Sequence, residues 1–300
     1  MKSFVKLGFA MMIAMAFVFM GCKHESNEPE TMPIPRPVPC QVVGGIEGSH
    51  VFIDGRTVDI FVAWASDHEV TQNEYEAVMG TNPSYFSSNP ASRETQEDRP
   101  EERMCWYDCL VYCNKRSLNE GLTPCYTVKG SSNPSDWGFV PTSRNSDWDA
   151  ATCNFEANGY RLPTEAEWEY LARGGNTSNS GQTVYSGSDI IDNVAWYKGN
   201  SGNKTHEVKK KAPNAFGLYD MSGNVREWCW DWASWITADT PSVGASSGTF
   251  RVMRGGDFGC SNNTEVLFDD WCRVDNNCLQ SGSPYGRNDS TGFRVVRSAN

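Results

Sequence analysis

"GYRLPTEAEWEYLARGG" runs from Gly159 to Gly175. Thr164 is placed to cap a helix with its hydroxyl, and Glu167, three residues on, can return the bond to the Thr164 backbone. Trp168, Leu171 and Ala172 then recur at helical spacing on one face. Gly174 and Gly175 end the helix, because they accept the left-handed backbone that closes it. A short helix with both ends written into the chain is therefore predicted here.

Two further segments read the same way. In "EVTQNEYEAVMGTNP", Thr71 and Glu74 form a second capping box. Tyr75, Val78 and Met79 supply an apolar face, Gly80 the closing residue, and Pro83 bars continuation. In "RPEERMCWYDCLVYCNKRSLNEG", Tyr107, Leu110, Val111 and Asn114 mark one face and Gly121 the end. Between the helices the chain is turn-rich. Short β-branched and aromatic runs predict strands at Val51–Ile53, Val58–Val62, Phe250–Met253 and Phe293–Val296. Their spacing does not alternate regularly with the helices, and no repeat of fixed period occurs. The predicted class is α+β, with about three helices, few short strands and long structured loops.

The first residues carry a different message. Lys2 and Lys6 precede the apolar run "LGFAMMIAMAFVFM", which ends at Gly21-Cys22. That run is too short for a membrane span and suits a signal-peptide core. The small residue before Cys22 resembles a bacterial lipoprotein cleavage site, so Cys22 is the expected lipidated residue. The organisation expected is a signal peptide over 1–21, a lipidated Pro-rich tether over 22–40 and one domain over 41–300. The anchor would tie the domain to a membrane of the bacterial envelope, at the outer cell surface.

The chain has 300 residues, 39% of them hydrophobic, enough for one sizeable core. Its formal net charge of -11 argues against a nucleic-acid partner, which needs a basic face. The run Lys209 to Lys211 reads as a solvated loop. Apart from Cys22 there are ten cysteines, and in an exported chain some are expected to pair. Cys113 and Cys125 bracket a helix end and are plausible partners. Cys105, Cys109 and Cys113 share a helical face, which suits core packing better than a zinc site.

Five motifs occur in one order: "HEVTQNEYEAVMGTNPSYF", "GYRLPTEAEWEYLARGG", "NAFGLYDMSGNVREW", "RVMRGG" and "TGFRVV". Over roughly residues 65 to 297 the chain resembles the formylglycine-generating-enzyme (sulfatase-modifying factor) family. The resemblance implies that family's variant of the C-type lectin-like fold, often with calcium. It places calcium ligands on Asp220, Gly223, Val225 and Glu227. By residue type alone, two carboxylates flanking a bent loop suit Ca²⁺, yet a capped turn with solvated acids reads equally well. A second family site would fall on Asn193, Val194, Asn200 and Gly202, where only neutral ligands remain.

The enzymes of the family hold copper(I) on two cysteines and oxidise a substrate cysteine. The resemblance places the first on Cys260. The second falls on Glu265, the serine after "RGG" is Asp257, and the tryptophan before "EW" is Arg226. No cysteine lies between Cys260 and Cys272, and Cys272 stands too far along to substitute. Copper is accordingly not expected, and no catalytic residue is assigned. The histidines lack metal-ligand spacing.

A second branch of the fold is the variable proteins of diversity-generating retroelements, and the segment 257–290 is similar to theirs. Their templates are rich in AAC codons, and adenine mutation scatters small, polar and aromatic residues among fixed ones. Expected surface residues are Asp257, Phe258, Gly259, Cys260, Asn262, Asn263, Asp269, Asp270, Asp275, Asn276, Asn277, Tyr285, Gly286, Asn288, Asp289 and Ser290. Glu265, Trp271 and Gln280 are out of reach of such mutation and belong to the framework. The resulting expectation is a surface-displayed lipoprotein that binds an unknown protein or carbohydrate without catalysis. The acids in the segment point to a basic or polar ligand. The alternatives are a fixed-ligand binder of the same fold and the copper-dependent oxidase.

Overall fold

The computed structural model describes residues 36–37, 42–43, 58–59, 64–176, 180–235, 237, 239–261, 270–276 and 280–298. The signal segment, Cys22, most of the tether, Val51–Ile53, Asn262, Asn263, Asp269 and Asn277 lie outside the described residues.

The strands are β1 (Arg36–Pro37), β2 (Val42–Val43), β3 (Val58–Asp59), β4 (Trp64–Ala65), β5 (Tyr126–Thr127), β6 (Thr152–Cys153), β7 (Tyr160–Arg161), β8 (Arg226–Trp232), β9 (Arg251–Arg254), β10 (Ser281–Gly282), β11 (Thr291–Gly292) and β12 (Val296–Arg297). The α-helices are α1 (Gln72–Met79), α2 (Trp106–Asn119), α3 (Ser146–Asp149), α4 (Glu165–Ala172) and α5 (Ile191–Val194). Two four-stranded sheets, in the orders β1-β4-β12-β7 and β10-β9-β8-β11, stand with two small pairs, β2-β3 and β5-β6. Most strands have two residues, so loops carry much of the chain and the class is α+β as expected.

Helices α1 and α4 form where their caps place them, whereas α2 begins only at Trp106, past the first part of its segment, and ends at Asn119. Thr71 and Thr164 each accept from the backbone three residues on, and Glu74 and Glu167 return the bond. Gly80 closes α1 with φ of 77°. Tyr75 and Val78 of α1 are buried as read and Met79 is only half buried, whereas α2 is buried on all sides from Trp106 to Asn114 rather than on one face. Helix α4 goes further than its pattern. Glu165, Glu167 and Glu169 are buried with its apolar face, because Arg254 meets Glu165 and Glu169, and Arg161 meets Glu167 through two bonds. A buried carboxylate is tolerated only when paired in this way.

The strands correct the sequence reading. β8, the longest, carries "REWCWDW" and was not predicted. Six of its seven residues are buried on both faces, so it has no alternation to read. β9 begins one residue later than expected. Phe293 to Val295 are not regular strand: the Val295 and Phe293 carbonyls accept from Ser66 and Val70 in a loop, and the ladder resumes only at β12. The lysine run is tethered rather than free, with Lys209 on Asp67, Lys210 on Glu207 and Lys211 over the Trp196 ring.

The eight described cysteines are free thiols, and the Cys113–Cys125 pairing is not formed. The Cys125 thiol instead donates to the Gly159 carbonyl at 3.3 Å. Cys105, Cys109 and Cys113 are fully buried in the core along α2.

Candidate functional site

β9 delivers the chain into the site through Arg254-Gly255-Gly256. Arg254 lies over the Trp168 ring and donates to the Val274 carbonyl, which locks β9 to α4 and to the chain returning at 274. Gly256, at φ 71°, is the point of closest approach. A Cβ there would stand 2.8 Å from the Trp271 carbonyl carbon and 2.9 Å from the Cys272 sulfur. Gln280 completes the junction, accepting from the Gly256 N–H and donating to the Trp271 carbonyl. The start of the 257–290 segment is thus pressed against its own middle.

On this junction sits an open pocket of about 370 Å³, lined by Arg226, Asp257, Phe258, Gly259, Cys260, Ser261, Trp271 and Ser290. Arg226, at the start of β8, donates Nε to Asp257 Oδ2 at 2.7 Å and Nη2 to Ser290 Oγ at 3.0 Å. Its guanidinium lies 5.0 Å from the Trp271 ring centre. The two departures noted beside Cys260, Arg226 and Asp257, are therefore partners of each other. Asp257 Oδ1 accepts from the Gly259 N–H and from the Cys260 thiol. Phe258 is buried edge-on against Phe86, with ring centres 5.2 Å apart.

Five of the expected surface residues meet at this pocket: Asp257, Phe258, Gly259, Cys260 and Ser290. Asp270 and Asn276 do not. Asp270 is buried and accepts from the Tyr185 hydroxyl at 2.5 Å, and Asn276 donates to the Asp270 carbonyl. Burial raises the Asp270 carboxyl above its ordinary range. Asp275 pairs with Arg273 at 2.9 Å. Asn288 accepts from Ser290 and gives its carbonyl to the Arg103 N–H, while Tyr285, Gly286 and Asp289 are half buried near the same turn. Of the acids in the segment, Asp257 and Asp275 have arginine partners and Asp270 a tyrosine, while Glu265 and Asp269 lie outside the described residues. Arg226 and Ser261 were missed as lining residues. Arg226 is legible only as the mate of Asp257, 31 positions away.

The second thiol also comes from an unexpected place. Cys272 packs in the same cluster as Cys260. Both belong to a buried cluster with Tyr185, Ile191, Val194, Ala195 and Tyr197. Spacing alone had set Cys272 aside. Twelve positions apart in sequence, the two residues share one cluster in space. Contact with Cys260 and burial push the Cys272 thiol well above its ordinary range, and Asp270 and Asp257 add to the effect.

The calcium positions form part of the same frame. Glu227 is fully buried and saturated: Arg294 donates to both oxygens at 2.6 Å and the Trp168 indole to one at 2.7 Å. Asp220 differs. Oδ2 accepts from the Lys209 N–H, while Oδ1 is buried without a hydrogen-bond partner. Burial pushes the Asp220 carboxyl up to about 6. Gly223 packs so closely that a Cβ would lie 2.3 Å from the Trp196 carbonyl oxygen, and Val225 donates its N–H to Glu69. Asp220 Oδ1 is the unpartnered oxygen among these positions, whereas at Glu227 a cation would have to share with Arg294, and among the described residues no group of three or more His, Cys, Asp or Glu is placed to hold a metal ion. Among the other family positions, Asn200 donates to Asp192 and Asn193 to Ser188.

The frame of short strands and capped helices around this pocket is that of the C-type lectin-like members of one family. The chain belongs to the sulfatase-modifying factor enzyme 1-like domain family, whose model matches residues 55–299. It is 38% identical over 274 residues to the chaperone protein LppX of Paenibacillus barcinonensis, covering 85% of this chain and 87% of that protein. Among solved structures it is similar to Treponema denticola variable protein 1, with 39% identity and a TM-score of 0.74, covering 89% of this chain and 95% of that one. It is 35% identical over 170 residues to the formylglycine-generating enzyme of Streptomyces coelicolor, spanning about half of each, 51%.

Proposed function

We propose that this chain is a non-catalytic ligand-binding lipoprotein of the bacterial envelope, lipidated at Cys22, whose segment 257–290 supplies a diversified binding surface. The observation that carries the reading is the pocket of about 370 Å³ at the Gly256–Trp271 junction. Framework residues Arg226, Trp271 and Gln280 hold it, and Asp257 to Ser261 line it. Side chains on such a frame can change without disturbing the fold. The similarity to Treponema denticola variable protein 1 supports the diversified character, and that to LppX supports a non-catalytic role.

The Arg226–Asp257 pair cancels charge at the pocket floor, and Trp271 and Phe258 give it apolar walls. A ligand of mixed polar and apolar character, on a protein or a carbohydrate, suits these groups. The test is genetic. The coding segment for 257–290 is sequenced through clonal passage of the source bacterium. Substitutions at adenine-derived positions in codons 257–261 and 288–290, with codons 251–256 and 292–296 unchanged, are expected. An invariant segment, with no reverse transcriptase gene and no near-copy of the segment nearby, would favour the fixed-ligand reading.

The contact between Cys260 and Cys272 is the one observation on the side of an oxidase. It is tested by incubating the protein with copper and a sulfatase-type cysteine peptide. No formylglycine above background is expected by mass spectrometry.

A further inference from the structure

We propose that Cys260 and Cys272 are a covalent modification site: in the exported protein they join as a disulfide that ties the chain at 260 to the chain at 272. The geometry places the two sulfurs together from both sides of the Gly256 junction. Cys272 Sγ would stand 2.9 Å from a Cβ on Gly256, and the next backbone N–H, that of Asp257, points at Cys260 Sγ from 3.1 Å. Both side chains pack within one buried cluster. The backbone on either side is fixed independently of the sulfurs. The Cys260 carbonyl accepts from the Lys198 N–H at 3.1 Å, and the Cys272 carbonyl from Ser222 Oγ at 2.7 Å. Two chain segments held this way lose little freedom when a bond forms, so closure is intramolecular and favoured over mixed products.

The two thiols differ in access. Cys260 lines the pocket, whereas Cys272 has no exposed surface. The oxidant is a protein or small-molecule disulfide of the envelope compartment. The Cys260 sulfur, as thiolate, attacks one sulfur of that disulfide and expels the other as a thiolate. The Cys272 sulfur, losing its proton, then attacks Cys260 and expels the second. The bond formed is Cys260–Cys272, the bond broken is the oxidant's, and the two protons end on the two released thiols. The clip removes from the pocket a reducing thiol and leaves Asp257 and Arg226 as its polar floor. Substitution of codon 260 would remove the clip, whereas changes elsewhere in 257–290 that keep both cysteines would not.

Cys260 and Cys272 lie in one tryptic peptide, Gly255 to Arg273, which contains no other cysteine. The full chain is expressed with export, quenched in acid, alkylated with N-ethylmaleimide under denaturing conditions and digested without reduction. The peptide is expected two hydrogens lighter and unalkylated. After treatment with a phosphine reductant it is expected to carry two maleimides. The reductant is also expected to lower the Tm of the wild type more than that of the Cys260→Ser/Cys272→Ser variant. Alkylation of both cysteines in the unreduced protein, after equilibration with glutathione disulfide, would overturn the proposal. So would linkage of either cysteine to a different one.

Discussion

Arg226 and Asp257 replace the tryptophan and serine that the family resemblance places at these positions, and each explains the other. Asp257 is buried beside the pocket, so its charge needs a partner, and Arg226 supplies it from the neighbouring strand while resting on Trp271. Removing one member leaves the other charge poorly compensated. Arg226→Ala or Asp257→Ala is expected to destabilise by about 1–3 kcal/mol, and the double variant by less than the sum, with a coupling of ~0.5–2 kcal/mol in urea unfolding. Purely additive losses would show that the pair is incidental. His68 offers a titration at the same scale. Burial works against its charge, but Asp67 at 2.6 Å and Glu74 at 3.5 Å overcome this and raise it from 6.5 to about 9. A folded-state value above the unfolded one gives stability that is complete below about pH 6.5 and lost as pH rises through 9. The stability gap between wild type and His68→Gln should therefore be widest at pH 6 and close by pH 9 to 10. A gap that widens with pH would contradict the assignment.

At the scale of the element, the turn between β9 and the pocket depends on its glycines. Gly256 has both a left-handed backbone and no room for a side chain, whereas Gly130 has the same kind of backbone, φ 79°, in open space. Gly130→Ala should cost only the conformational strain, about 1 kcal/mol. Gly256→Ala should cost well beyond that, roughly 3 kcal/mol or more, because backbone rather than a flexible side chain blocks the added carbon. Equal losses on denaturation would mean that the Gly256–Trp271 approach is not tight. The helices were readable because capping is local: Thr164 and Glu167 need only each other. β8 was not, because burial on both faces erases the alternation by which a strand is recognised.

For the whole molecule, a single hard cation can be tested through global stability. Asp220, Glu69 and Glu227 are buried near one another, and Arg294 is their principal counter-charge. Calcium bound at Asp220 would raise the Tm with concentration by mass action, and EGTA would reverse it. Asp220→Ala should abolish the response. A Tm indifferent to calcium and EGTA would remove the metal from the proposal. The sequence by itself determined the class of fold, the presence of the three helices with the two capping boxes, and the family. These rest on bonds between near neighbours, or on motifs whose order survives any loop length. Only the tertiary structure decided which of the 257–290 residues reach the pocket, that Asp270 and Asn276 turn inward, that Arg226 answers Asp257, and that Cys272 returns to Cys260. Each depends on where a chain comes back to after a loop, and an insertion changes sequence spacing without moving the two ends it joins.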